Sequence, residues 1–117
     1  MAAMGFKSEH WDDANGNPAG GSTFGTGFAI SWQNGPLGLA NERREPNGAF
    51  VEDIIAAARD RIAYYQRSRF RCDENQIALD LLGNAIEALN TRTSRREAAG
   101  IEGTHAEDSK PFRAKGG

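Results

Sequence analysis

The chain has 117 residues, a formal net charge of −2 and 38% hydrophobic residues. That length suits one small domain, and the mild acidity excludes a bulk attraction to polymeric nucleic acid or to an anionic membrane surface. The single cysteine, Cys72, excludes an intramolecular disulfide and agrees with a reducing compartment.

In chain order, residues 1–10 lack the apolar core of a secretory leader. Residues 1–22 are polar and rich in turn formers, with Asn15-Gly16-Asn17-Pro18 and Gly20-Gly21. Two readings stand for this arm: a weak hairpin flanked by Phe6 and Trp11, or a flexible segment. Over residues 23–33, Phe24, Thr26, Phe28, Ile30 and Trp32 alternate with smaller or polar residues. A period of two predicts one strand with one buried face, stopped by Asn34-Gly35-Pro36. A loop over 37–46, charged at Glu42-Arg43-Arg44-Glu45, completes a small β-rich part over 23–46.

Residues 47–105 predict a helical hairpin domain. Asn47 is placed to cap the first helix, with Glu52 and Asp53 suiting its positive pole, and that helix is expected to run to about residue 68. Its seam is Val51, Ile55, Ala58, Ile62 and Tyr65. Asp73 and Gln76 have the spacing of a capping box for the second helix, with Cys72 and Ile77 as the staple. Its seam is Ala78, Leu82, Ala85 and Leu89, continued in register by Asn75 before it and by Arg92 and Arg96 after it. The longest aliphatic run, residues 54–58, is far too short to cross a bilayer. Gly100 fits a left-handed position just past the end of the helix. Residues 106–117 are expected to form a mobile tail. The fold class is therefore α+β: a small antiparallel β-rich N-terminal part followed by an antiparallel two-helix hairpin.

Arg92 and Arg96 lie one turn apart on one face, where two guanidiniums can grip a diphosphate. They can equally be solvated cations that complement the helix dipole. Tyr65 can stack on a nucleobase or serve as an interface aromatic. Asn75 can pair with an adenine edge or with nearby backbone. His10 and His105 have no ligand spacing with Cys72, so no metal is expected. No nucleophile, base and orienting group stand together, and the glycines of residues 20–27 are not followed by the Lys-Ser/Thr of a phosphate loop. No catalytic residue and no cofactor are expected.

The chain carries Gly27-Phe28-Ala29-Ile30-Ser31-Trp32-Gln33-Asn34-Gly35-Pro36-Leu37-Gly38, then Arg44-Glu45-Pro46-Asn47-Gly48-Ala49-Phe50-Val51-Glu52-Asp53. Tyr64-Tyr65-Gln66, Phe70-x-Cys72-x-Glu74-Asn75, Arg92-Thr93-x-Arg95-x-Glu97 and Gly100-Ile101-Glu102-Gly103-Thr104 follow. This series closely resembles the phage Thoeris anti-defence proteins of the first type, whose helical hairpin domain is shared with phage anti-CBASS sponge proteins. The resemblance covers residues 27 to about 105. It implies a protein that sequesters, without cleaving, the cyclic nucleotide signal of a bacterial defence system. That signal would be glycocyclic ADP-ribose for Thoeris, with cyclic di- or trinucleotides at separate sites of the same oligomer. It further implies action in the cytoplasm of an infected bacterial host, and a homo-oligomer that is a dimer at least and can build a hexamer. Tyr65, Asn75, Arg92 and Arg96 are the ligand-contacting positions it implies. An aromatic residue, often Phe, stacks on adenine where Tyr65 stands.

Asn75 and Arg92 are seventeen positions apart, roughly 25 Å along a helix. A nucleotide about 10 Å across cannot touch both in one protomer, given that rise. A site using both must join two protomers whose second helices lie antiparallel. Two other function classes compete: a non-enzymatic oligomerisation or protein-docking hairpin, and an enzyme that degrades the signal. Two short amphipathic helices expose more seam than one hairpin can bury, so the purified chain is expected to be a homodimer or larger. Light scattering at micromolar concentration checks this, and a monomer mass would refute it.

Overall fold

The computed structural model describes residues 5–38 and 42–100. The fold is α+β, with a three-stranded antiparallel sheet followed by two helices. The chain divides into a sheet unit ending at Phe50 and a helix unit starting at Val51. The expected tail over 106–117 lies outside the described residues, as do residues 101–105.

The strands are β1 (Phe6–Asp12), β2 (Pro18–Gly25) and β3 (Phe28–Trp32), in the order β1-β2-β3. Of the two readings of the N-terminal arm, the structure has the hairpin, with an irregularity in its register between His10 and Asp12. Its turn is built by Asp13, whose Oδ1 accepts from the backbone N–H of Asn15 and of Asn17 at 2.8 and 3.0 Å. This is the local bonding that makes Asp a turn former.

The expected single strand over 23–33 is corrected. A two-residue turn, Thr26-Gly27, divides it into the end of β2 and all of β3, with Gly27 at φ +87°. Such tight hairpin turns need positive φ, which glycine adopts without cost. The period of two continues through the turn in the sequence but not in space. Gly25 pairs with Phe28 and Phe24 with Ala29, so Phe24 lies on the opposite face from Phe28, Ile30 and Trp32.

One face of the sheet is pinned at Thr23, which is buried. Its Oγ1 accepts from the indole Nε1 of Trp32 at 2.8 Å and lies 2.8 Å from the hydroxyl of Ser8. One side chain thus joins all three strands. Trp32 faces Gly21 across the ladder, and the empty position lets the ring lean toward Thr23.

Asn47 does not cap the first helix, which begins at Val51. It closes a polar lock instead. Asn47 Oδ1 accepts from Asn34 N at 2.8 Å, its Nδ2 donates to Asn34 O at 3.1 Å, and its own N–H donates to Gln33 Oε1 at 2.9 Å. The next residues run beside β3: Ala49 N donates to Ser31 O and Gln33 N to Ala49 O, at 2.7 and 3.0 Å. The Trp-Gln-x-Gly-Pro and Pro-Asn-Gly elements of the sequence therefore meet. Gly48 sits so close to β3 that a Cβ there would lie 2.5 Å from the carbonyl carbon and oxygen of Trp32.

The helices are α1 (Val51–Gln66) and α2 (Asp73–Ala98). Residue 66 meets residue 72 and residue 59 meets residue 79, so they are antiparallel. Ala78, Leu82, Ala85 and Leu89 of α2 are half-buried, as the spacing predicts, and Leu79 is buried. The α1 seam is rotated from expectation. Ile55 and Ile62 are half-buried, but Arg59 and Gln66 join them while Val51, Ala58 and Tyr65 are exposed. Arg59 crosses α2 at Gly83. With no side chain there, Arg59 Nε lies 3.5 Å from where a Cβ would stand. Arg59 Nε donates to Leu79 O at 3.0 Å, so the long apolar stem covers the seam while the head is satisfied.

Gly48→Ala forces a methyl into the β3 backbone, and neither backbone can rotate away. It is expected to destabilise the protein by about 1–3 kcal/mol, read as a lowered thermal midpoint, whereas Gly16→Ala at an open turn position costs less because only its positive φ is strained.

Candidate functional site: the two ends of the helical hairpin

The closed end is built by Gln66. Its Oε1 accepts from Cys72 N at 3.1 Å and its Nε2 donates to Cys72 O at 3.0 Å. One amide thus satisfies both backbone groups of the residue that opens α2. The Ser68 hydroxyl donates to Tyr65 O and accepts from Phe70 N. The expected capping box does not form: Cys72 is the N-cap, with no side-chain bond, and Gln76 pairs with Asp80 at 3.0 Å. Asp73 is already the first helical residue. Its side chain is thus one position late for the cap, and Gln66 of α1 instead bonds the N–H and C=O of the N-cap residue itself. Cys72 and Ile77 are both exposed.

This turn puts Tyr65, in the last turn of α1, and Asn75, in the first turn of α2, at the same end of the hairpin. Asn75 is half-buried and Tyr65 is 41% exposed. Tyr65 carries a neighbour that sequence reasoning missed. Arg61 Nε donates to the Tyr65 hydroxyl at 3.1 Å, and its guanidinium carbon lies 4.9 Å from the centroids of both Tyr64 and Tyr65. The Tyr65 hydrogen bond, followed by the charge interactions with Tyr65 and Tyr64, raises the Arg61 pKa above its ordinary value. The signal was in the sequence as a spacing of three and four from Arg61 to the two rings.

The other end holds Arg92 and Arg96, one turn apart on α2. They are not alike. Arg92 is exposed, while Arg96 is 5% exposed and engaged within the protein. The helix closes as expected: Ala99 N donates to Arg95 O at 3.1 Å, Gly100 N to Glu97 O at 3.0 Å, and Gly100 takes φ +74°.

The structure therefore places Tyr65 of α1 and Asn75 of α2 at one end of the hairpin, and Arg92 and Arg96 toward the other end of α2. At about 1.5 Å per residue the separation from Asn75 to Arg92 is roughly 25 Å. Within the helix unit these residues offer aromatic stacking, an amide and two guanidiniums, a set suited to a phosphorylated nucleoside. Among the described residues no cluster of His, Cys, Asp and Glu is arranged to hold a metal ion. No helix among them is long and apolar enough to cross a membrane.

No protein-family model matches the chain. A small α+β chain with nucleotide-type side chains at both ends of a helical hairpin does have a curated relative. Thoeris anti-defense 1 of Bacillus phage SBSphiJ7 is 41% identical over 76 residues, 65% of this chain and 51% of that protein. The chain spans about half the length of that relative. Over the shared portion the chain is similar to that Thoeris anti-defence protein.

The unequal burial of the two arginines gives a test. Arg96→Ala removes a buried stem and strands whatever its guanidinium meets, at a cost on the order of 2 kcal/mol or more. Arg92→Ala at an exposed position should stay within about 0.5 kcal/mol of the parent. Thermal unfolding of the two variants should separate them, with only Arg96→Ala clearly lowered.

Proposed function

We propose that the protein is a phage anti-defence protein that binds and sequesters a cyclic nucleotide immune signal without cleaving it. Glycocyclic ADP-ribose is the proposed ligand, and the cyclic di- or trinucleotides of CBASS are a second class it takes. The proposed place of action is the cytoplasm of an infected bacterial host. The observation that carries the reading is the division of ligand-type residues between the two ends of α2, in a chain related to a Thoeris anti-defence protein. A pocket needing both ends is completed by a second chain lying antiparallel. Tyr65 and Asn75 of one protomer then face Arg92 and Arg96 of its mate, twice per two-fold dimer. Tyr65 stacks on the base, Asn75 meets its edge, and the arginines hold the phosphates. No cofactor enters this mechanism.

A second reading has its own support. Ile77 and Leu81 are exposed one turn apart on α2, the latter 63% exposed, and such a stripe suits an oligomerisation or protein-docking hairpin. The two readings differ in what heat releases. Incubation with glycocyclic ADP-ribose, followed by denaturation and mass spectrometry, should return the intact signal stoichiometrically. Loss of the signal over many equivalents would mean turnover and would refute sequestration. A docking hairpin would retain none and show no thermal shift with the ligand.

The shared pocket is tested by mixing. Tyr65→Ala should cost about 1–3 kcal/mol of binding and Arg92→Ala about 2–5 kcal/mol if its phosphate contact is desolvated. Arg92 is preferred to Arg96 here because its removal leaves the fold intact. In a heterodimer of the two variants, one pocket carries both defects and the other is restored. Calorimetry on the exchanged mixture should recover about half a site per chain of heterodimer. Full exchange by native mass spectrometry without any recovered binding would place the pocket in one chain or on other residues.

A further inference from the structure

The side chain of Arg61 is the one long polar group in α1 whose partners are both aromatic. The rings of Tyr64 and Tyr65 stand 5.8 Å apart between centroids and are tilted by 57°. The guanidinium carbon lies 4.9 Å from each centroid, and Nε is bonded to the Tyr65 hydroxyl at 3.1 Å. Tyr65 is thus held at the far end of its ring and occupied on one face by a cation, although its surroundings are open to solvent. An exposed tyrosine without such a tether samples several rotamers, and ordering it on binding costs free energy. A tethered ring has already lost that freedom. The cation on one face leaves the other for a planar partner.

We infer that Arg61 is a positioning residue of the ligand site: it holds the Tyr65 ring by the hydroxyl and backs one face, so that a nucleobase stacks on the other. The inference rests on the reading of Tyr65 as the base platform. It gives the hydroxyl a role that a phenylalanine at this position could not fill, because only the phenol oxygen accepts from Arg61 Nε. It also separates Arg61 from the cations of the inter-helix turn. Arg69 lies over Phe70, 4.8 Å from its centroid, and Arg71 Nε approaches Ser68 O at 3.5 Å. Neither of these contacts reaches the Tyr65 ring.

The test is a double-mutant cycle on the oligomer as purified, with glycocyclic ADP-ribose as the probe and calorimetry as the readout. Arg61→Gln and Tyr65→Phe should each weaken binding roughly three- to tenfold. The double variant should bind no worse than the weaker single variant, since both changes remove the same tether. Oligomer mass and thermal midpoint should not move, because the Arg61 side chain is exposed. Losses that multiply in the double variant would show that Arg61 acts apart from Tyr65 and would overturn the inference. So would an unchanged affinity for Arg61→Gln when Tyr65→Ala abolishes binding. Failure of the parent protein to bind the probe, or full binding by Tyr65→Ala, would instead remove the platform reading and the inference with it.

Discussion

With Leu79 the one buried apolar side chain among the described residues, hydrophobic burial alone cannot fix the shape of either unit. Directional polar contacts carry that task at each place where the chain could slip. Thr23 ties three strands through Ser8 and Trp32. Gln33, Asn34 and Asn47 lock a returning segment beside β3. Gln66 clamps Cys72, and Arg59 bridges to Leu79 across Gly83. Each such bond contributes only about 1 kcal/mol net, but each loses more when one partner is removed. A chain built this way tolerates exposed aromatic and aliphatic side chains such as Phe6, Phe70 and Leu81.

The same economy shapes the ligand-type residues. The clamp at Cys72 sets where α2 begins, and α2 then carries Asn75 and the arginine pair on one rigid rod. Arg96 is drawn into the protein while Arg92 stays at the surface. A buried guanidinium is already desolvated and oriented, so its electrostatic reach is longer than that of an exposed one. Two arginines that look equivalent by spacing thus differ in kind. One is anchored within the fold and the other stands at the surface.

The helices were legible because an apolar repeat of three and four rarely arises except on one face of a helix, and the α2 seam and its glycine end stand as expected. The sheet was harder. Alternation over residues 23–33 is compatible with one strand or with two joined by a two-residue turn, and only the pairing of Gly25 with Phe28 distinguishes them. Asn47 looked like a cap because Asn caps helices, yet its amide found two partners on Asn34, thirteen residues away. No local rule reports a partner at that distance. The rotation of the α1 seam had a similar cause, since Arg59 finds its acceptor, the Leu79 carbonyl, on the other helix. The spacing from Arg61 to Tyr64 and Tyr65 was in plain view but is common on helix surfaces, and only the ring geometry gives it meaning.

In α2, length and direction are tied to one count of residues. Each residue advances the helix by about 1.5 Å and turns it by about 100°. Deleting one residue between Asn75 and Arg92 would swing the arginine end through about 100° while scarcely shortening the rod. Deleting seven would bring it back to within about 20° of its original phase, yet about 10 Å nearer. The helix is therefore a ruler and a protractor at once. Whole heptads would retune the distance between its two ends, and single residues would retune the direction in which one end faces relative to the other.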